Sequence, residues 1–105
     1  MKRIIENTQI RAWLEGELGE ETRKERNITE ADLDEIERLL IHLNDWYYDP
    51  VHESLGHFLT YVLKNNFVNA SCQADKTNVK ALDVYARFVY NRLPPDWNSK
   101  ALVYL

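Results

Sequence analysis

The sequence contains few residues that cross-link a chain or interrupt regular structure. Its 105 residues include one cysteine, three glycines and three prolines. A single cysteine, Cys72, forms no internal disulfide bond, which is typical of a reducing compartment. No apolar run approaches the ~20 residues of a transmembrane helix, and the amino end lacks the apolar segment of a signal peptide. We therefore expect a cytoplasmic protein without membrane contacts.

What the sequence does contain is helical. Hydrophobic residues make up 45% of the chain, and their spacing follows the helical period without any strand pattern. The spacing predicts four main helices, near residues 2–18, 29–49, 53–65 and 75–91, and a short helix after Ser99. We expect a compact all-α bundle in one domain, residues 1–105, with residues 1–50 as an acidic helical hairpin and residues 51–105 as its core.

Several helix ends have clear signals. Gly19 is a plausible terminator of the first helix. Thr29 is a good N-cap for the second, and Asp32 occupies the capping-box position. Pro50 ends this helix, and Pro94 stops the last long one. Asn65 and Asn66 form a polar elbow between the two helices of the carboxyl half.

Charge divides the chain into two halves. Residues 1–50 carry seven Lys or Arg against thirteen Asp or Glu, whereas residues 51–105 carry six against four. The carboxyl half is therefore the more favourable place for an anion. Its basic residues are scattered and form no stripe, so we expect no binding of duplex nucleic acid.

One polar residue lies on the apolar side of the predicted 75–91 helix. Val79, Leu82, Ala86, Val89 and Leu93 form the central stripe of that helix, and Ala81, Tyr85 and Phe88 widen it. Asn78 falls inside this apolar arc. A buried carboxamide costs roughly 1–3 kcal/mol without partners. Asn78 therefore needs the backbone, a second subunit or a ligand.

Candidates for catalysis and metal binding are weak. His52 and His57 are five residues apart, whereas a helical zinc-protease motif needs a separation of four. Cys72 has no histidine close in sequence and is most simply a small buried hydrophobe. There is no glycine-rich phosphate loop. We expect a protein that is not an enzyme and has no metal or cofactor.

The polar elbow is a better candidate for ligand binding. Gly56 is placed in the first turn of the third helix, where backbone N–H groups are free to bind an anion. Capping and turn chemistry explain Asp75 and Asn65. They explain Gly56 and Asn78 less well.

Three spaced patterns run through the carboxyl half. They are carried by Gly56, Phe58, Leu59, Val62, Leu63, Asn65, Asn66, Phe67, then Ala70, Ala74, Asp75, Asn78, Ala81, Leu82, then Tyr90, Asn91, Pro94, Trp97 and Ser99. This arrangement resembles a family of small phage and prophage proteins with the patterns G-x-F-L-x-x-V-L-x-N-D-L, A-x-x-x-A-D-x-x-N-x-x-A-L, Y-N-x-x-P and W-G-S. The resemblance covers residues 55–99. Asn66 stands where that family has Asp, and Asn98 where it has Gly.

The resemblance implies a function. Small helical phage proteins of this kind include counter-defence factors, among them sponges that sequester the cyclic nucleotides made by CBASS-type immune systems. We therefore expect a protein of the cytoplasm of an infected bacterial host that binds a cyclic dinucleotide or a related phosphorylated ligand without cleaving it. The apolar arc of the predicted 75–91 helix is wider than one neighbour would cover, so we also expect a homo-oligomer. The main alternative is a phage protein that binds and blocks a host defence or regulatory protein. A virion assembly protein is a third option, but no feature of the sequence favours it.

Nine residues are predicted to bind the ligand. Backbone donors at Gly56 and a basic side chain from Lys76, Arg87 or Arg92 would hold phosphates. The amides of Asn66 and Asn78 would contact a base edge or ribose. Phe58, Tyr61 or Tyr90 would stack on a base.

Overall fold

A computed structural model describes residues 2–105. It contains six α-helices and two short 3-10 turns, and no β-strand within that range. The helices are α1 (Ile10–Glu25), α2 (Glu30–Tyr48), α3 (His57–Leu63), α4 (Phe67–Gln73), α5 (Leu82–Arg92) and α6 (Trp97–Tyr104), and the 3-10 turns are Asn7–Gln9 and Asn78–Ala81. The prediction of an all-α fold is confirmed. None of the helices in this range is long and apolar enough to cross a membrane.

Gly19 ends the first helical segment of α1, as predicted, and a second helical segment follows it directly. Its φ of 69° and ψ of 160° are not helical, and the chain resumes a helical path through the charged residues up to Glu25. Ile10, Leu14 and Leu18 lie buried on one side of α1, as their spacing predicts. α1 (Ile10–Glu25) therefore consists of two helical segments that meet at a kink at Gly19.

The amino end of α2 has the predicted capping box. Thr29 Oγ1 accepts a hydrogen bond from the Asp32 backbone N–H at 3.1 Å, and Asp32 Oδ2 accepts one from the Thr29 N–H at 3.0 Å. The helix ends at Tyr48, before Pro50. Trp46 and Tyr47, near its carboxyl end, are almost fully buried and close that end of the core.

The prediction of one helix over residues 75–91 is wrong for the residues before Leu82. Residues 78–81 form a 3-10 turn, and Ala81 leaves the helical region with φ −136° and ψ 23°, so that α5 begins only at Leu82. The buried face is accordingly Ala81, Val84, Tyr85, Phe88, Val89 and Leu93, while Val79 is 51% exposed. The predicted central stripe is therefore rotated relative to the observed one.

Contacts from the amino half accompany this break. Asp32 accepts hydrogen bonds from Thr77 Oγ1 at 2.7 Å and from Lys80 Nζ at 3.0 Å. Arg26 Nη1 donates to the Lys80 carbonyl oxygen at 3.2 Å. These bonds join residues about 50 positions apart in the chain, so helical periodicity alone does not reveal them.

The third predicted helix is shorter than expected. It covers residues 57–63 instead of 53–65, with Gly56 as its N-cap residue. Asn65 then adopts a left-handed φ of 58°, and the Asn66 side chain caps α4 by accepting the Asn69 N–H at 3.2 Å. The prediction of a polar elbow is confirmed, and it separates two short helices.

A continuous core joins the two halves of the chain. Trp13 of α1 packs edge-to-face on Phe88 of α5, with ring centroids 5.3 Å apart. Phe58 of α3 packs in the same way on Tyr85 of α5, at 5.2 Å. The α5 helix therefore lies between α1 and α3, and this position brings Tyr85 next to Asn78.

Candidate functional site

Asn78 is buried, with 5% of its surface exposed. Its side-chain oxygen accepts a hydrogen bond from the Tyr85 hydroxyl. Its backbone N–H donates to Asp75 Oδ1 at 2.8 Å. No described residue accepts a hydrogen bond from its side-chain nitrogen, Nδ2. The partner that the sequence demands for Asn78 is thus a tyrosine of the same chain, and it satisfies only the oxygen.

The Tyr85 hydroxyl is the donor in this hydrogen bond, and Asn78 Oδ1 is the acceptor. Burial, together with the carboxylates of Glu35 and Asp75, holds the pKa of the Tyr85 hydroxyl well above its usual value. Tyr85 is therefore protonated at neutral pH and donates to Asn78 Oδ1. Asn78 therefore keeps the two N–H donors of Nδ2 and one acceptor position of Oδ1 for a further partner.

Asn78 borders a hollow of about 440 Å³, which we call the amide hollow. Its wall comes from α2, the start of α3, the end of α4 and the turn before α5. The lining residues are Glu35, Arg38, Leu39, His42, Gly56, His57, Phe58, Leu59, Gln73, Asp75 and Asn78. Gly56, Phe58 and Asn78, three of the nine predicted ligand residues, are therefore brought together.

The charges of the amide hollow are mostly paired. Arg38 donates to both oxygens of Glu35, at 2.7 and 3.0 Å. His42 Nε2 lies 3.4 Å from a carboxylate oxygen of Glu53. Asp75 makes no ion pair with any described Lys, Arg or His. Because two lining carboxylates face one guanidinium, the interior favours hydrogen-bond donors over a phosphate.

Gly56 differs from the sequence prediction. It is the N-cap residue and lies before the first turn of α3, with an ordinary φ of −72°. A Cβ atom added at this position would meet no atom within 4 Å. Neither backbone conformation nor close approach therefore requires glycine here, and the seven-residue α3 is too short to support an anion site of its own.

Two other predicted residues, Arg87 and Tyr90, line a second depression of about 350 Å³, which we call the apolar groove. It lies between α3, α4, α5 and α6. Its residues are Val62, Asn65, Phe67, Ala86, Arg87, Val89, Tyr90, Asn91 and Trp97. Tyr90 is 79% exposed. Arg87 is held by Glu17 at 3.1 Å and by Asp83 at 3.0 Å, so its charge is already paired.

The remaining predicted residues line neither depression. Asn66 is used as a cap, and Tyr61 is half-buried. Lys76 is exposed and makes no ion pair within residues 2–105. Arg92 is half-buried, and its buried Nε has no hydrogen-bond partner. The nine predicted residues therefore do not form one site, because the amide hollow and the apolar groove have no lining residue in common.

The sequence prediction missed the contribution of α2. Glu35, Arg38, Leu39 and His42 follow the spacing i, i+3, i+4 and i+7, so they share one side of that helix. Glu35, Arg38 and His42 form a polar stripe beside the apolar stripe of α2, and this polar stripe was visible in the sequence. Its proximity to Asn78 was not, because that depends on how α2 and α5 pack.

The other candidates from the sequence are placed as follows. Within residues 2–105 no group of three His, Cys, Asp or Glu side chains is arranged to hold a metal ion. Cys72 is an exposed free thiol, so the prediction that it is buried is wrong. His57 is exposed, as its position on the helix indicates.

Comparison of the chain with protein-family models, with curated proteins and with solved structures gave no match. The resemblance of residues 55–99 to small phage proteins therefore stays a prediction, and function has to be argued from the geometry.

Proposed function

We propose that this protein binds a cyclic oligonucleotide in the amide hollow and sequesters it without cleavage. The observation that carries the proposal is the Asn78 carboxamide, whose oxygen is bound to Tyr85 while its nitrogen has no protein acceptor beside a hollow. That nitrogen is not one of the fully buried polar atoms that lack a partner, so it is accessible from the hollow, where a ligand acceptor can bind it.

The size and walls of the amide hollow suit part of such a ligand. Its volume of about 440 Å³ lies within the ~300–1,000 Å³ usual for small-molecule sites. Leu39, Phe58 and Leu59 provide apolar walls for a planar ring, and Asn78 and Asp75 provide polar contacts at its edge. One base enters the hollow in this arrangement, and the rest of the cyclic molecule lies outside.

Phosphates would then bind at the rim. Lys76 directly follows the lining residue Asp75, is exposed and has no ion-pair partner among the described residues. Arg38 is 62% exposed at its side chain and can exchange part of its contact with Glu35 for a phosphate oxygen. Of the three basic residues predicted from sequence, only Lys76 is placed next to the hollow in the chain.

The biological role follows from the resemblance to phage proteins. A phage protein that sequesters a cyclic oligonucleotide signal would suppress a CBASS-type response in the host cytoplasm. Sequestration requires that the bound ligand stay intact. We propose that a second copy of the chain covers the part of the ligand that protrudes from the hollow.

Calorimetric titration of the full chain with cyclic di- and trinucleotides tests this proposal. Asn78→Asp is the informative variant, because its carboxylate still accepts from Tyr85 while the N–H donor is lost. Asn69→Asp introduces the same charge at an exposed position of α4 and is the matched control. We expect Asn78→Asp to weaken binding at least about tenfold and Asn69→Asp to leave it within twofold.

Two results would contradict the proposal. One is the absence of binding across the panel. The other is binding that Asn78→Asp and Asn69→Asp weaken equally, because a nonspecific charge effect would then explain it. Chromatography of the ligand recovered after denaturing the complex checks for cleavage, and we expect the unchanged cyclic compound.

The apolar groove favours a second candidate function, inhibition of a host protein by direct binding. Tyr90 at 79% exposure and Phe67 at 42% present aromatic surface of the kind found in protein interfaces. Tyr90→Ala separates the two functions. It would abolish capture of a host protein under this alternative, whereas it would leave nucleotide binding at the amide hollow unchanged under the first proposal.

A further inference from the structure

The last helix, α6, exposes two large apolar side chains and turns its charged one inward. Leu102 is 82% exposed and Val103 is 75% exposed. Lys100 points into the protein instead, because its Nζ donates to the Tyr47 carbonyl oxygen at 2.6 Å and lies 4.1 Å from the centroid of the Tyr47 ring. Amphipathic surface helices have the opposite arrangement. The outer side of α6 is therefore suited to contact with another apolar surface.

A depression of about 450 Å³ lies beside these exposed side chains, and we call it the α6 hollow. It is formed by the end of α3 and by α6. Its lining residues are Leu63, Lys64, Asn98, Ala101, Leu102 and Leu105. Four of the six are apolar, and Lys64 carries the one charged side chain among them. A projecting apolar pair, Leu102 and Val103, and a largely apolar hollow therefore lie next to each other on one helix.

This apolar surface continues into the apolar groove. Val62 and Trp97 line the groove, and the residues that follow them in the chain, Leu63 and Asn98, line the α6 hollow. Both depressions therefore border the junction of α3 and α6. The large apolar side chains exposed on α4, α5 and α6 are Phe67, Val68, Tyr90, Leu102, Val103 and Tyr104.

The exposed apolar area is close to what a stable dimer requires. These six side chains are between 42% and 82% exposed, and a large side chain has roughly 150–200 Å² of accessible surface. Together they expose roughly 600 Å², compared with the ~800 Å² that each partner buries in a standard interface. The walls of the two depressions add to this area. A second copy of the chain can therefore cover this surface with an interface of ordinary size.

We propose that a second copy of the chain covers this surface in a two-fold dimer, with Leu102 and Val103 of each copy entering the α6 hollow of the other. A two-fold interface needs one patch that matches itself. The outer side of α6 meets this need, because it carries both the projecting residues and the hollow that receives them. The dimer does not depend on the proposed ligand, and it forms in the absence of nucleotide.

Sedimentation equilibrium of the full chain without nucleotide is the first test. We expect the mass of two chains, each of 12.5 kDa, at micromolar concentration. Val103→Lys places a charge in a contact that association desolvates, so it should weaken the dimer at least about tenfold. Val51→Lys is the matched control, because Val51 is 72% exposed and lines neither depression. It should leave the dissociation constant within about twofold.

Disulfide cross-linking tests the arrangement of the two copies. Lys64 lines the hollow that receives Val103 of the other copy in the proposed dimer. The variants Lys64→Cys and Val103→Cys are each made with Cys72→Ser, which removes the exposed native thiol, and are then mixed and oxidised. We expect the disulfide between unlike chains to form in preference to those between like chains. Val51→Cys in place of Val103→Cys should show no such preference.

Three results would overturn the proposal. A monomeric wild type at micromolar concentration would leave this surface to another partner, such as the host protein of the alternative function. Equal dimerisation of Val103→Lys and the wild type would show that the copies meet elsewhere. Cross-links only between like chains would overturn the placement of Val103 beside Lys64 of the other copy. Circular dichroism of each variant verifies the helical fold, and none of these results bears on nucleotide binding at the amide hollow.

Discussion

The Tyr85 hydroxyl donates a hydrogen bond to the side-chain oxygen of Asn78, seven residues earlier in the chain. In a straight α-helix, residues seven apart lie on the same side and about two turns apart. Ala81 lies between them in a non-helical conformation. The break at Ala81 therefore accompanies the contact that orients the Asn78 amide.

Removing the Tyr85 hydroxyl tests this contact. In Tyr85→Phe the ring still packs on Phe58, but Asn78 Oδ1 loses its only partner in a buried position. We expect the free energy of unfolding, measured by urea denaturation, to fall by about 1–3 kcal/mol. Tyr90→Phe removes a hydroxyl from an exposed residue and should change stability by less than about 0.5 kcal/mol. Equal stabilities of the two variants would contradict the role given to Tyr85.

Asp32 makes the fold sensitive to acid. Hydrogen bonds from the Thr29 backbone, Thr77 and Lys80 hold the pKa of Asp32 well below its usual range. A carboxylate whose pKa is lowered by folding contributes stability above its unfolded pKa of about 4 and loses it as the pH falls. We expect Asp32→Asn to cost about 1.5–3 kcal/mol at pH 7 and about 1 kcal/mol less at pH 3, because the remaining stabilisation is lost only as the pH falls further towards the folded pKa.

The measurement is urea denaturation of both proteins at the two pH values. Asp34→Asn, which alters an exposed ion pair with Arg11, is the control and should cost at most about 1 kcal/mol at pH 7. A destabilisation of Asp32→Asn that does not change with pH would show that charge is not the source of the effect.

Two glycines of α1 should respond to alanine in opposite directions. Gly19 has φ 69° and ψ 160°, a conformation open almost only to glycine, so Gly19→Ala should destabilise the protein by about 1–3 kcal/mol. Gly16 is exposed within the helical part of α1, and an added Cβ atom meets nothing within 4 Å. Gly16→Ala should therefore stabilise by about 0.5–1 kcal/mol. Thermal denaturation distinguishes the signs, and destabilisation by both changes would argue against this account.

The carboxyl half should mediate self-association. Of the nine large apolar side chains exposed within residues 2–105, seven lie between residues 67 and 104, and Leu102 is 82% exposed. Light scattering at micromolar concentration should give a mass above the 12.5 kDa of one chain. Leu102→Glu should lower that mass, whereas Val51→Glu, at a residue 72% exposed outside this region, should not. A strict monomer in the wild type would contradict the prediction.

Local signals in the sequence were reliable where they involve neighbours in the chain. The capping box at Thr29 and Asp32, the end of α2 before Pro50 and the elbow at Asn65 all depend on contacts within a few residues. The extent of the helix after Asp75 was not predictable in this way, because hydrogen bonds from Asp32 and Arg26 act on Thr77 and Lys80 from about 50 residues away.

The candidate site shows the same division. That Asn78 needs a partner followed from its position among apolar residues, and its burial confirms the expectation. The identity of that partner required the packed structure. So did the finding that Gly56 and Phe58 line a different depression from Arg87 and Tyr90.

The sequence by itself determined the all-α class, the main caps and the position of Asn78 among apolar residues, because composition, periodicity and capping act over a few residues. Only the tertiary structure decided that the predicted 75–91 helix is interrupted at Ala81, which residues of α2 line the same hollow as Asn78, and which hollow the Asn78 side chain borders. Those features arise from side chains brought together by packing between helices, and the linear pattern contains no measure of such distances.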